Sequence, residues 1–434
     1  MLGDDTPADI LSGRLITTRA AGPADPTAHD PTAHGPAASA PSDQDAGNTA
    51  DTPSPTWGQV PAANVDTAAK LRRALGRGGV LVDHPSWHAD PTDAERVWLA
   101  ALACGIPVVS IDHDPQLPGA VSTTRDQADD AVHRLLVDDD HRERVGIAGR
   151  RHVVTARSRR AALEHVLAAL GRHVPRRPSV SVLLSTHRPE RLGHALASVT
   201  RQSLTRQGDV EVVLVLHGDG FDHLSDHDVR EQLPDAGATG APAMTIVRAP
   251  ARWTLGECLN AGLERAGGHL VAKMDDDDHY GRHHLADLVA AWTYSGADVV
   301  GKRIEFVHLA GPDQTIRRQP TATERDRPHV GGPTLLAERS LLAHYGFLRL
   351  PNRVDSTLYE RVRADGGRVY GTHARDLVLA RHGQQHAWDV GDETFREESV
   401  DTRDGLAWQL ASSDVDPVTL ATSGHQDDHD TPAS

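Results

Sequence analysis

The sequence predicts an α/β protein with two folded segments between acidic ends, and three observations carry that reading. Short Val, Leu and Ile runs alternate with helical stretches through the middle of the chain. At 434 residues the chain exceeds what one core organises. Both ends lack the large apolar residues a core needs.

Residues 1–65 hold eight Asp against two Arg, are rich in Pro, Ala and Thr, and have Trp57 as their only aromatic residue. Such a segment cannot bury enough surface to offset chain entropy, so a disordered tail is expected. The same holds for 412–434, with five Asp and no Lys or Arg. An acidic partner-binding tail is the alternative for either end. Together the ends carry most of the formal net charge of −16. A balance this acidic argues against a nucleic-acid backbone binder. Two cysteines, Cys104 and Cys258, make neither a disulfide framework nor a metal cluster. No apolar run is long enough to span a membrane, and Met1-Leu2-Gly3-Asp4-Asp5 does not open a secretion signal. A soluble, cytoplasmic protein is expected.

The first folded segment covers 66–172. Gly79-Val80-Leu81-Val82-Asp83 reads as a strand and Asp93 to Cys104 as a helix, which Gly105 closes just before Pro107. Ile106 to Ile111 is the next strand. The run Leu99 to Ser110 resembles the C-terminal half of GT-B glycosyltransferases, where a helix ending Ala-Cys-Gly leads into a Pro-Val-Val strand. That resemblance implies a Rossmann-like unit. The Glu that holds the donor ribose in those enzymes is replaced by Ala100, and no preceding half-domain is present to complete a site. A non-catalytic docking or scaffolding module is expected.

The second segment covers 173–411. Strands are expected at 180–186, 211–216, 244–247 and 269–274, and a helix at 256–266. Leu192, Leu196 and Val199 share one helical face. This β-α-β-α-β succession binds nucleotides beyond the carboxyl ends of its strands. At the end of the fourth strand stand Asp275, Asp276, Asp277 and Asp278. Adjacent carboxylates repel unless a cation or solvent compensates. In an extended chain Asp275 and Asp277 face one way, Asp276 and Asp278 the other. Two carboxylates on one side of a loop suit a hard divalent cation that also holds substrate phosphates. A solvated acidic turn is the plainer alternative.

From Val180 to about Trp388 the chain resembles the family 2 glycosyltransferases of GT-A fold. The matching elements are Ser185-Thr186-His187-Arg188-Pro189-Glu190, Leu255 to Gly262, Ala272 to Asp278 and Gly296 to Lys302. The resemblance implies a donor pocket of Thr186, Arg188, Glu190, Asp275 and Asp276, with Asp277 ligating Mn²⁺ or Mg²⁺. Asp219 stands where a base-contacting Asp is common, but the strand ends Leu216-His217-Gly218, a departure that leaves the base open. Gly331 and Gly332 match acceptor-side backbone, and Asp355 the catalytic base. Helix N-capping is the structural alternative for Asp355. Of His382 and His386, which follow Arg381 in a closing element, His386 is taken as the further metal ligand.

The implied reaction is metal-dependent, inverting transfer of a sugar from a nucleoside-diphosphate donor, a UDP-sugar foremost, to an acceptor hydroxyl. The acceptor would be a glycan, a lipid-linked or a small molecule, as in cell-envelope or polysaccharide synthesis, with peripheral membrane association left open. Two rivals stand beside it. A sugar-nucleotide pyrophosphorylase needs a Gly-rich basic loop after the first strand, which Ser185 to Pro189 lacks. A non-catalytic nucleotide-sugar sensor or scaffold would explain His217 and Ala100.

Overall fold

The computed structural model describes residues 14–17, 79–84, 91–172, 178–234, 240–382, 392–397 and 399–415. They fall into two compact units, one running to Arg150 and taking in Val415, the other spanning Arg151–Asp414. The division thus lies at 150/151, where the sequence placed it at 172/173.

The first unit contains β1 (Arg14–Thr17), β2 (Gly79–Asp83), α1 (Pro91–Ala103), β3 (Val108–Ile111), β4 (Ala120–Thr123), α2 (Ala128–Val137) and the start of α3 (Asp139–Ala156). Its sheet has the order β1-β2-β3-β4, with the last three strands parallel. Val80, Val82, Val109 and Ile111 pack against Ala131, Val132 and Leu135. Gly105, at φ +75, turns the chain out of α1 as expected. One departure concerns the acidic N-terminal segment. Its Arg14–Thr17 stretch pairs antiparallel with β2, Leu15 opposite Leu81 and Ile16 opposite Val80, and covers an edge otherwise open to pairing. The rest of 1–65 lies outside the described residues.

The second unit continues with α4 (Arg159–Ala169), β5 (Val180–Thr186), α5 (Leu192–Thr200), β6 (Val210–His217), α6 (Asp226–Glu231), β7 (Ala243–Ala249), α7 (Leu255–Leu263), β8 (Leu270–Met274), β9 (His279–Tyr280), α8 (His284–Ser295) and β10 (Val299–Lys302). There follow β11 (Phe306–Leu309), β12 (Gln314–Arg318), β13 (Arg325–Asp326), β14 (Leu336–Glu338), α9 (Arg339–Tyr345), α10 (Val354–Ala364), β15 (Val369–Thr372), β16 (Leu377–Arg381), α11 (Asp392–Glu397), β17 (Ser399–Asp404) and α12 (Trp408–Ala411). An eight-stranded sheet of order β13-β15-β10-β14-β8-β5-β6-β7 forms the centre, and β17-β12-β11-β16-β9 a second sheet.

Strands β7, β6, β5 and β8 are parallel, so their carboxyl ends open on one side. Side-chain alternation puts Val180, Val182 and Leu184 on one face of β5, packed with Leu192, Leu196 and Val199 of α5. Leu183 on the other face meets Leu259 and Leu263 of α7. Each fully buried leucine, such as Leu196, contributes about 1.5–3 kcal/mol. Helix α7 begins where Thr254 and Glu257 close a reciprocal capping box. Ser412 and Ser413, expected in the acidic tail, are instead buried, Ser413 donating to Asp376 at 2.5 Å. Among the described residues no helix is long and apolar enough to cross a membrane.

Candidate active site

Strand β8 carries Lys273 in an otherwise apolar run and delivers the four aspartates to the carboxyl edge of the sheet. Pairing of Leu184 with Met274 sets Thr186 level with Asp276. The chain bends at 276–278, so the expected strict alternation of the carboxylates does not hold. Asp276 and Asp277 instead share one cation. Thr186 Oγ1 donates to Asp276 Oδ2 at 2.5 Å, and Arg188 grips Asp276 through Nε and Nη2. The same Nη2 stands 2.9 Å from Asp277 Oδ2.

Asp275 points the other way. Its Oδ1 accepts from Lys273 Nζ at 2.7 Å, and its backbone N–H donates to Tyr280 Oη at 2.8 Å. Lys273 is 3% exposed, and its ammonium also lies 3.7 Å from Asp355 Oδ2. Asp275 and Asp355 thus share one buried cation. Both line a cleft of about 590 Å³ together with Gly331, Gly332, Arg303 and Arg381.

Asp355 is the second residue of α10, with 20% of its side chain exposed. The N-cap is Arg353, in the left-handed region at φ 59, so the capping alternative for Asp355 fails. Asp355 Oδ1 is buried and has no hydrogen-bond partner. Gly332 is required beside it, because a Cβ there would stand 2.1 Å from Asp355 Oδ2.

Five carboxylates gather around Lys273 and Arg188. Burial pushes the Asp355 carboxyl up against the pull of Lys273. Burial likewise pushes Asp277 up, with Arg188 opposing and Asp275 and Asp276 adding to it. Asp278 is pushed well up by burial and by Asp277; its Oδ1 accepts from the Ala380 amide at 2.9 Å, while Oδ2 is buried without a partner.

Among the described residues no three His, Cys, Asp or Glu side chains converge on a metal position. A Mg²⁺ or Mn²⁺ ion that arrives with a diphosphate needs only one or two protein carboxylates. Four adjacent carboxylates, with Asp277 and Asp278 pushed up, are compatible with that case. His386 lies outside the described residues. His382 meets Arg191 Nη2 at 3.2 Å.

Glu190 and Asp219 are exposed, in the turns that follow β5 and β6. A Cβ on Gly220 would come within 3.3 Å of Pro189, so the two turns lie side by side. His217 closes β6 with a buried, unpartnered Nε2. Sequence reasoning missed Lys273, Tyr280 and Arg303 as site residues. The lone lysine inside Leu270–Met274 was a signal, since a buried ammonium requires carboxylate partners.

Residues 181–336 match the sequence profile described as Glycosyl transferase family 2. The match covers less than half of the chain, and the parallel sheet with its acidic strand end is the GT-A-like part of the mixed α/β fold. No curated protein sequence matches the chain. Among solved structures, S. aureus TarS 1-349 in complex with UDP-GlcNAc is similar at 18% identity and TM-score 0.38, over 50% of this chain and 64% of that one. The mannosyltransferase PcManGT from Pyrobaculum calidifontis, in complex with GDP-Man and Mn²⁺, is similar at 18% identity and TM-score 0.37. That likeness covers 54% of this chain and 68% of the other. This chain therefore spans somewhat less than two thirds of the TarS chain.

Proposed function

We propose that the second unit is a nucleotide-sugar-dependent glycosyltransferase that inverts the anomeric centre. One observation carries the reading: Asp275 and Asp355, 80 positions apart in sequence, share Lys273 across one cleft. A carboxylate with a pKa above its usual range, open to a cleft on one side, suits a general base. Asp355 would take the acceptor hydroxyl's proton as the hydroxyl attacks the sugar carbon, and Lys273 would keep that carboxylate ionised and aimed. Thr186, Arg188, Glu190, Asp219, Asp275 and Asp276 would line the donor side, and Gly331 and Gly332 the acceptor side. Arg188 would stay charged throughout and hold Asp276 and Asp277 in place. A Mg²⁺ or Mn²⁺ ion held by Asp277 would supply Lewis-acid stabilisation of the leaving diphosphate.

The donor is proposed to be a UDP-sugar. The acceptor would be a glycan, lipid-linked or small molecule of cell-envelope or polysaccharide synthesis, handled in the cytoplasm. The first unit, with Ala100 in place of a ribose-holding acid, is proposed as a docking or scaffolding module resembling half of a GT-B enzyme. A thermal-shift screen of nucleotide sugars with and without Mn²⁺, followed by a donor-consumption assay, tests the reading. One nucleotide sugar should stabilise the chain and be consumed. Stabilisation without consumption, in the presence of candidate acceptors, would identify a sensor instead.

A further inference from the structure

Helix α4 stands apart from the other helices of its unit. Helices α5, α8 and α10 each bury several side chains, whereas α4 buries none, although seven of its eleven residues are Ala, Leu or Val. Its outward stripe is the apolar one. Leu163 is 53% exposed, Val166 52% and the following Leu170 68%, at the i, i+3, i+7 spacing of one helical face. The sheltered side carries Ala161, Glu164 and Leu167, none of them buried. Ser158 caps the N-terminus by accepting from the Ala161 amide at 3.2 Å, so the helix is locally well defined.

The charge around the stripe is inverted. In a chain of net charge −16, residues 157–177 contain six Arg and one acidic residue, Glu164. Arg157, Arg159, Arg160 and Arg172 are exposed, and Arg159 falls on the apolar face one turn before Leu163. Arg160 pairs with Glu164 at 2.8 Å. An apolar stripe rimmed by arginines matches a surface with an anionic skin over an apolar interior. A second copy of the chain would set arginines against arginines.

We propose that α4 is an interfacial helix that docks the protein on a bilayer containing anionic lipid. Leu163, Val166 and Leu170 enter the acyl boundary, and Arg157, Arg159, Arg160 and Arg172 reach up to the headgroup phosphates. The inference is independent of the proposed transferase activity.

The test is co-sedimentation of the full chain with vesicles of phosphatidylcholine alone or mixed with phosphatidylglycerol. The full chain should sediment with the mixed vesicles and about tenfold less with phosphatidylcholine alone, and raised salt should release it. The double variants Leu163→Glu/Leu170→Glu and Arg159→Glu/Arg172→Glu should each lower the bound fraction about tenfold. Both change exposed residues, so melting temperature should be unaltered; the salt series reads the same contact without any substitution. Absence of binding, equal binding to both lipids, or binding retained in the leucine variant overturns the proposal. So does light scattering that shows a dimer which the leucine variant separates.

Discussion

Two buried charge clusters in the second unit are built to opposite ends. In one, Asp287 receives a bidentate Arg151 at 2.8 Å to each oxygen and His373 Nε2 at 3.0 Å. Burial pushes that carboxyl up, but Arg151 and His373 outweigh it and hold the group well below the usual carboxylate range. In the other, five carboxylates share Lys273 and Arg188, and Asp277, Asp278 and Asp355 are all pushed up. In the first, the carboxylate is matched by its bidentate cation, as in a structural pair. The second brings Asp275 and Asp355 to a cleft that Arg303, Arg318, Arg353 and Arg381 also line, open charge of both signs that a ligand can engage. Burial alone does not distinguish structural from functional charge; the balance around it does.

The largest expected effect comes from the second cluster. Asp355→Asn should lower donor turnover about 10²–10⁴-fold in a steady-state assay, with the fold kept, as circular dichroism would show. The sign for stability runs the other way. A carboxyl whose folded pKa lies above its unfolded value costs stability at neutral pH, and that cost fades as pH falls through the folded pKa. The variant should therefore melt no lower than the parent at neutral pH.

Asp287→Ala should do the reverse, costing about 3–5 kcal/mol in denaturant unfolding because it leaves buried Arg151 without its bidentate partner, with Asp376 at 3.5 Å as the remaining carboxylate. Asp287 has a depressed pKa, so its contribution is present above the unfolded carboxylate value. It is lost as pH falls through the lower folded one. The stability lost between neutral and acid pH should therefore be larger in the parent than in Asp287→Asn, and an equal loss in the two would contradict the pairing of Asp287 with Arg151.

A smaller effect is expected at the glycine that makes room for the base. Gly332→Ala should push the Asp355 carboxylate aside and lower turnover about 10²-fold with melting temperature little changed. The finest test is Lys273→Met. Without that ammonium the Asp355 carboxyl is pushed further up, so the acid limb of the kcat/KM profile should move to higher pH. An unmoved limb would remove Lys273 from the role of holding the base ionised.

The framework was legible because it rests on local patterns. Gly79–Asp83 and Val180–Thr186 coincide with the strands read from their apolar runs, and α7 starts within one residue of its expected position. Asp275, Asp355, Gly331 and Gly332, picked from motifs far apart in the sequence, line one cleft. What could not be read was pairing across the fold. Arg188 appears in the sequence as a pocket residue, yet its guanidinium bridges Asp276 and Asp277, 88 residues on in the first case. Arg151 and Asp287 are 136 positions apart. Strand β1 escaped notice because four residues in an acidic, Pro-rich stretch give no period to detect, and only the edge of β2 makes them a strand. The bend at 276–278 was missed because alternation presumes an extended chain.

The bond from the Ala380 amide to Asp278 has a mechanical meaning. Asp278 closes the acidic turn that begins on the eight-stranded sheet, and Ala380 belongs to β16 of the other sheet, which also pairs with β9 directly after the turn. Asp278 thus ties the acidic turn to the second sheet. A change in the acidic turn therefore meets a strand of the smaller sheet at its first hydrogen bond.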